Sequence, residues 1–395
     1  MILDWLIVGG GIHGVHIAAR LISQAKVGIE QIRIVDPNEK LLHRWKECTS
    51  TTGMKYLRSP SVHNLDIDPW ALLEKASEEE SHQIPLFAPP YDRPSLEFFN
   101  QHCDEIISKY NIDKLHIQTK AISCSLDSNH ILVSFEDGKE ITAKNVVFAM
   151  GAGDQPMWPE WSRIDSKKIH HIFSPNFEYL PKVKESVSVV GGGISAGQVA
   201  LRLAKEGHKV TLITRHEFRE HQFDSDPGWL GPMYMDGYSK IGDVNKRRRM
   251  ISKARNKGSM SPDVINSLNN EIAKGNISWF IDNVEELVNE NKQLLMKLES
   301  GKNIIADRIL LATGFEGKRP GGELISQLIK SASLPCAKCG YPIVDQTLCW
   351  HPGIYVSGPL AELELGPVSR NISGARRAAE RIVSGVLGYD AVEFY

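Results

Sequence analysis

Long apolar runs are missing from this chain of 395 residues: no stretch of about 18 apolar residues is available for a helical membrane span. An excess of one charge is missing too. With 46 Lys and Arg against 48 Asp and Glu, the formal net charge is -2, which gives no overall drive toward nucleic acid or an anionic membrane surface. Cysteine is sparse at six, and the first strand begins almost at Met1, leaving no room for a secretory leader. Reduced thiols in a cytoplasmic protein are therefore expected rather than structural disulfides. No Ser-His-Asp arrangement or His-Glu-x-x-His motif stands out. One Cys-x-x-Cys occurs, Cys336 to Cys339, with Cys349 and His351 downstream. It lacks the second pair that a zinc site normally needs, so no metal is expected. An exposed turn and a redox pair are the other readings of that segment.

What is present is 42% hydrophobic residues, enough for sizeable cores, on a length that suits two domains. The chain opens with an apolar strand, Trp5 to Val8. There follow a turn in which Gly9, Gly11 and Gly14 keep G-x-G-x-x-G spacing, a helix from Ile12 to about Ala25, and a second strand, Ile32 to Val35, ending on Asp36. Each part suits a dinucleotide. Gly9 makes the turn, Gly11 lets the backbone approach a pyrophosphate, Gly14 lets helix and strand pack closely, and the helix N-terminus offers free N–H groups to phosphate. An acid placed as Asp36 is accepts hydrogen bonds from a ribose diol. The device returns at Ser186 to Arg215 with Gly191, Gly193 and Ala196, but there the second strand ends in Thr214-Arg215. A guanidinium can pair bidentately with a 2′-phosphate, which an Asp would repel. The first site should thus take an adenosine ribose without that phosphate, and the second should prefer NADPH. An ordinary exposed strand-end arginine is the plain alternative for Arg215.

The segment after Asp36, residues 43–73, reads as a long polar, irregular stretch, and loops of that length are usually functional. Thr52, Met54, Tyr56, Arg58, Ser59 and His63 sit where a cofactor ring or a substrate would lie, with simple tethering of loop to core as the alternative for Arg58 and His63. Glu78-Glu79-Glu80 reads as a solvated helix end. Ser95 to Tyr110 reads as a capped amphipathic helix. Lys114 to Val147 reads as β structure with a hairpin turn at Asp137-Gly138, ending in Phe148-Ala149-Met150-Gly151. Residues 217–275 break the βαβ alternation. They hold Phe223-Asp224-Ser225-Asp226 and Trp229, then a basic helix-like stretch, Asn245 to Lys257, whose Lys246-Arg247-Arg248-Arg249 reads as a solvated face ahead of a contact with NADPH phosphates. A further β segment, Ile277 to Leu298, precedes Ala312-Thr313-Gly314. The strand Gly353 to Val356 ends in Ser357-Gly358-Pro359, ahead of a helix from about Pro367 to Val383.

Two glycine fingerprints, two A-T-G-like crossings and the closing Gly-Pro helix resemble the two-dinucleotide-binding-domain flavoproteins over nearly the whole chain. Within them the sequence is most similar to class B flavin monooxygenases, especially the lysine and ornithine N-hydroxylases. The likeness runs through Met54-Lys55 with Ser59-Pro60, Arg93-Pro94 with Phe98, and the aromatic and acidic run Phe223 to Asp226 with Trp229; His171 and Phe173 echo a further element. The resemblance implies an α/β fold of two Rossmann-like dinucleotide-binding domains, with a discontinuous FAD-binding domain (1–158 and 306–395) and an inserted NADPH-binding domain (159–305). FAD would lie over Gly9 to Gly14 with its adenosine ribose on Asp36 and its ring toward residues 52–63, where Met54 sits. Gly151, Gly314, Gly358 and Asn371 would complete that site, and NADPH would rest on Gly191, Gly193 and Ala196 with Arg215 at its phosphate. The implied activity is an NADPH-dependent flavoprotein monooxygenase hydroxylating a small molecule, with Arg58 holding an anionic group of substrate or flavin. Two alternatives stand beside it: a flavin thiol or disulfide reductase using Cys48 or the pair Cys336 and Cys339, and a non-catalytic FAD- and NADPH-binding redox sensor. The expected partner is a small-molecule substrate, not nucleic acid or membrane, and a homo-oligomer is compatible with the sequence.

Overall fold

The computed structural model describes residues 2–78, 85–127, 130–175, 177, 183–290 and 293–388; Glu79 and Glu80 of the acidic run lie outside them. The opening strand, Ile2–Val8, is central to the first sheet. It pairs in parallel with Ile32–Asp36 on one side and Glu140–Phe148 on the other, His116–Gln118 extends the first edge, and Ile354–Val356 returns from the far end of the chain to pair with Glu140–Phe148. Leu6 and Ile7 have no exposed surface, as a parallel strand covered on both faces requires. The antiparallel strands Ala121–Asp127 and His130–Phe135 fold onto Glu140–Phe148 through the turn at Asp137-Gly138. The first domain's helices are α1 (Ile12–Ser23), α2 (His43–Thr52), α3 (Ala71–Glu78) and α4 (Leu96–Lys109), the last capped by the Ser95 hydroxyl, which accepts from Phe98 N.

The helix α2 falls where the sequence reads as irregular. Its inward stripe is Trp45, Cys48, Thr49 and Thr52, at helical spacing but mostly in small polar residues, with Thr49 and Thr52 bonding back to helix carbonyls. Trp45 packs on the first core and Cys48 on the second, so α2 is a wedge between domains and carries no leucine-rich face to announce it.

The second sheet is parallel throughout, in the order Ile277–Ile281, Lys209–Thr214, Ser186–Val190, Arg308–Leu311, Ile169–His171. After its glycine turn comes α5 (Ile194–Lys205), and then a helical insertion of α6 (Pro232–Ser239), α7 (Val244–Ala254) and α8 (Pro262–Ala273). Because Arg308–Leu311 pairs with Ser186–Val190, the boundary expected at 306 moves past that strand: the chain leaves the second domain only at Ala312-Thr313-Gly314. There the outgoing and returning segments run antiparallel, with Pro156 bridged to Phe315, Met157 N donating to Gly314 O and Thr313 Oγ1 donating to Met157 O. The chain closes with α9 (Gly322–Ser331), the short α10 (Glu362–Leu365) and α11 (Ile372–Leu387). No helix among the described residues is long and apolar enough to cross a membrane.

The basic run of α7 is only half a solvated face: Lys246 and Arg249 are exposed, and the other two point inward. Arg247 pairs with Glu364, while Arg248 reaches Glu362 and lies over the Tyr341 ring. Glu362 has no exposed surface and also receives Arg370 at 2.9 Å. These arginines fasten the inserted helices to the returning part of the first domain.

Candidate functional site

The helices that cap themselves differ from those that do not. Ser95 caps α4 and Asp243 caps α7. By contrast α1, α5 and α11 have no side-chain cap and no acid in the first turn, a property shared with α2 and α6, but α1 and α5 follow glycine turns, where the first N–H groups can meet an anionic ligand. A Cβ at Gly11 would meet nothing within 4 Å, whereas one at Gly14 would lie 1.9 Å from Gly9 O and one at Gly9 2.6 Å from Ala149 O. Gly14 and Gly9 (φ +119°) therefore serve packing and turn, and Gly11 leaves open space in front of the helix. In the second turn Gly191 (φ +154°) lies under Ala312 O and Gly193 faces Gly258, while Ala196 accommodates its methyl.

Each turn has its own strand-end partner. Asp36 accepts Gly10 N at 2.7 Å through Oδ2, and Asn38 N and Nδ2 through Oδ1. The acid thus braces the turn as well as standing at its rim. Arg215 is exposed and forms no hydrogen bond or ion pair with another described residue, so its guanidinium is free at the rim of the second turn.

A cavity of about 540 Å³ opens at the N-terminal ends of α1 and α11, within the range that holds a cofactor ring or a small ligand. The lining includes Ile12 and His13 of α1, Met54, Arg58 and His63 of the segment after α2, Phe223 and Asp224 of the insertion, and Asn371. Met54, Arg58, His63 and Asn371 thus line one cavity. Gly358 (φ +62°) sits against His13. Gly151 and Gly314 stand at the domain crossing and are not among the lining residues. Arg58 serves mainly as a tether, since Nε donates to Gln222 O and Nη2 to His221 O and Ser259 Oγ. Burial draws its pKa down, and the Asp224 and Asp263 carboxylates oppose that. Asn371 Nδ2 donates to Asp224 Oδ1 at 2.9 Å, joining α11 to the insertion across the cavity.

His13 lies inside the glycine turn and is not evident from the fingerprint spacing. Its Nδ1 is 2.8 Å from Ser357 Oγ, and its Nε2 makes no hydrogen bond within the protein. Burial holds its pKa at about 4, partly offset by the Arg370 and Asn371 carbonyls, so the ring is neutral at pH 7. The pKa of His63 is likewise lowered to about 4, by burial and then by Arg376 and Arg377.

Cysteine chemistry is placed elsewhere. None of the residues lining the cavity is a cysteine. Cys48 faces the second core from α2, and burial pushes its thiol up to about 11, away from the thiolate form a nucleophile needs. Cys336 is half-buried and Cys339 exposed on a turn closed by Gly340 N to Ala337 O. Among the described residues no group of three or more His, Cys, Asp or Glu is placed to hold a metal ion.

Two sheets, each with a set of parallel strands that presents a glycine turn at its carboxyl ends, define a protein with two dinucleotide-binding domains. Residues 6–243 match the family model described as pyridine nucleotide-disulphide oxidoreductase, and the chain belongs to that family. No curated protein matches it. Among solved structures it resembles an ornithine hydroxylase from Pseudomonas aeruginosa (16% identity, TM-score 0.73, 98% of this chain and 99% of that one). An ornithine N-hydroxylase from Kutzneria sp. 744 gives 16% identity and a TM-score of 0.76 over the same shares. The bacillithiol disulfide reductase of Bacillus cereus gives 16% identity and 0.63, over 99% of this chain and 100% of that one. At such identity these likenesses establish the shared fold.

Proposed function

We propose that the chain is an FAD- and NADPH-dependent monooxygenase that hydroxylates a small molecule. The observation that carries the reading is the cavity at the uncapped α1 and α11 N-termini, which joins the first glycine turn to the inserted domain and holds no thiol. The first turn suits FAD. Gly11 leaves room for a pyrophosphate, Asp36 stands at the ribose end, and the neutral His13, Met54 and Asn371 line the space for a flavin ring. The second turn, with Arg215 free beside it, suits NADPH. The flavin supplies two-electron acceptance and oxygen activation when bound. The chain's own residues then bind and orient: Asn371 and Asp224 hold the two sides of the cavity together, and Arg58 fixes the segment after α2 against the insertion. One NADPH and one O₂ would be consumed for each hydroxylated product, with the second oxygen atom leaving as water.

A disulfide reductase would need a thiolate at the flavin, and Cys48 is turned away with its pKa raised. Purified protein should carry flavin and oxidise NADPH in air, with peroxide or a hydroxylated product as the fate of O₂. Disulfide consumption that disappears in Cys48→Ser would overturn the reading, and so would the absence of any flavin binding on titration.

A further inference from the structure

Beyond the cavity described above lies a second one, of about 580 Å³. The two share a partition, Tyr91 and Phe223, whose rings are 5.1 Å apart and which line both. Tyr91 has φ +72°, a backbone conformation that costs a bulky side chain free energy and is commonly found where function demands it. The outer cavity is walled on another side by Trp229 and Tyr234, with rings 5.3 Å apart. Gln222 and Lys253 are among the polar lining residues whose side chains have no hydrogen-bond or ion-pair partner among the described residues. The Gln222 side-chain Oε1 and Nε2 are buried without a hydrogen bond, an arrangement costly unless a ligand pairs with them as the side chain turns toward the cavity. Its backbone carbonyl is held by Arg58, which fixes its position. Lys253, in the last turn of α7, lines the cavity and forms no ion pair or hydrogen bond with another described residue, although Arg247 and Arg248 on the same helix are paired with Glu364 and Glu362. Asp226, also at the wall, is engaged as the cap of a turn, accepting Gly228 N at 2.7 Å.

We infer that the outer cavity binds a planar aromatic acid that carries an N–H or O–H donor beside its carboxylate. The ring packs among the four aromatic side chains, as offset or edge contacts favour. The carboxylate meets Lys253, and the adjoining donor and acceptor satisfy the Gln222 amide. Taking this ligand as the substrate rests on the monooxygenase reading; its binding does not.

The test uses the oxidised, FAD-loaded protein without NADPH, titrated with anthranilate and indole-2-carboxylate and, for comparison, cyclohexanecarboxylate and L-ornithine. Calorimetry and Trp fluorescence give the dissociation constants. The aromatic acids should saturate and bind at least about tenfold more tightly than either comparison ligand. Gln222→Leu and Lys253→Met should each weaken them about tenfold, the loss expected for one hydrogen bond involving a charge, while Lys246→Met on the exposed side of α7 should leave binding unchanged. Tyr91→Gly, which relieves the backbone, should also weaken binding, and it keeps the test open if either of the other variants fails to fold. Equal binding of cyclohexanecarboxylate, displacement by ornithine, or an unaffected Lys253→Met overturns the inference. Binding without any hydroxylated product under turnover defeats the monooxygenase reading and leaves this one standing; product formation from a ligand that does not occupy this cavity defeats this one alone.

Discussion

The two glycine turns begin alike, Gly9-Gly10-Gly11-Ile12-His13-Gly14 and Gly191-Gly192-Gly193-Ile194-Ser195-Ala196, and end in different company. In the first, α1 is pressed onto its strand so closely that only glycine fits at position 14. In the second, Ala196 is accommodated and the tight contact moves one residue on, to Gly197, where a Cβ would lie 2.8 Å from Met260 Sδ beside α8. His13 ties the first turn to Ser357, just past the returning strand, and Asp36 braces it at Gly10 N, so two other parts of the sequence close around it. At the second turn Ser195 takes the place of His13 and Arg215 is free. The same backbone device is thus enclosed in one domain and open-rimmed in the other, which on the proposed reading separates a retained cofactor from an exchanged one.

The sharpest way to break that contrast is steric. Gly14→Val would place side-chain atoms into Gly9 O and should cost ~4 kcal/mol or more, giving protein that is insoluble or free of flavin absorbance. Ala196→Gly should cost only about 1 kcal/mol, as glycine does in any helix. Denaturation midpoints of the two variants measure the difference, and equal losses would mean that the turns are equivalent.

Acid provides the next largest effect. His13 and His63 have pKa values held near 4 in the folded protein, against 6.5 when unfolded. The native state keeps them neutral, so their stabilisation is complete above pH 6.5. It declines as the unfolded chain gains protons below that value and levels off near pH 4, a loss of at most about 3 kcal/mol for each ring. Urea midpoints between pH 7.5 and 4.5 should fall accordingly, and His13→Gln should flatten the profile.

Arg215→Ala addresses the other turn. Removing a charge-assisted contact to the 2′-phosphate is worth roughly 2 kcal/mol, so KM for NADPH should rise about 30-fold while KM for NADH stays the same. A wild-type protein that uses both nicotinamides equally would show that the free guanidinium is only a surface group.

How much of this was legible in the sequence follows from how local each feature is. Gly9, Gly14, Gly191 and the strand–turn–helix order are dictated by backbone geometry within a few residues, and they fall where the spacing puts them. The helix α2 was hidden because its buried stripe is threonine and cysteine facing two domains. The basic run of α7 reads as solvated because its partners, Glu362 and Glu364, lie over a hundred residues away. His13 has no spacing signal: its significance arises only when Ser357 and Asn371 arrive from the other end of the chain. The cavity is likewise made of segments that nothing local in the sequence brings together.

Asp36 is the place where the two turns can be compared most finely. Both of its oxygens accept hydrogen bonds from the protein, Oδ2 from Gly10 N and Oδ1 from Asn38, so the acid positions the turn backbone as well as facing any ribose. In Asp36→Asn one oxygen becomes an NH₂ that must face an N–H donor, and the charge opposing a 2′-phosphate disappears. The loss should be about 1 kcal/mol, or roughly fivefold in the FAD dissociation constant, read by flavin fluorescence on reconstitution of the apoprotein. KM for NADPH should not change, because the second turn relies on no acid. A rise in that KM equal to the loss of FAD affinity would show that the two turns act as one site.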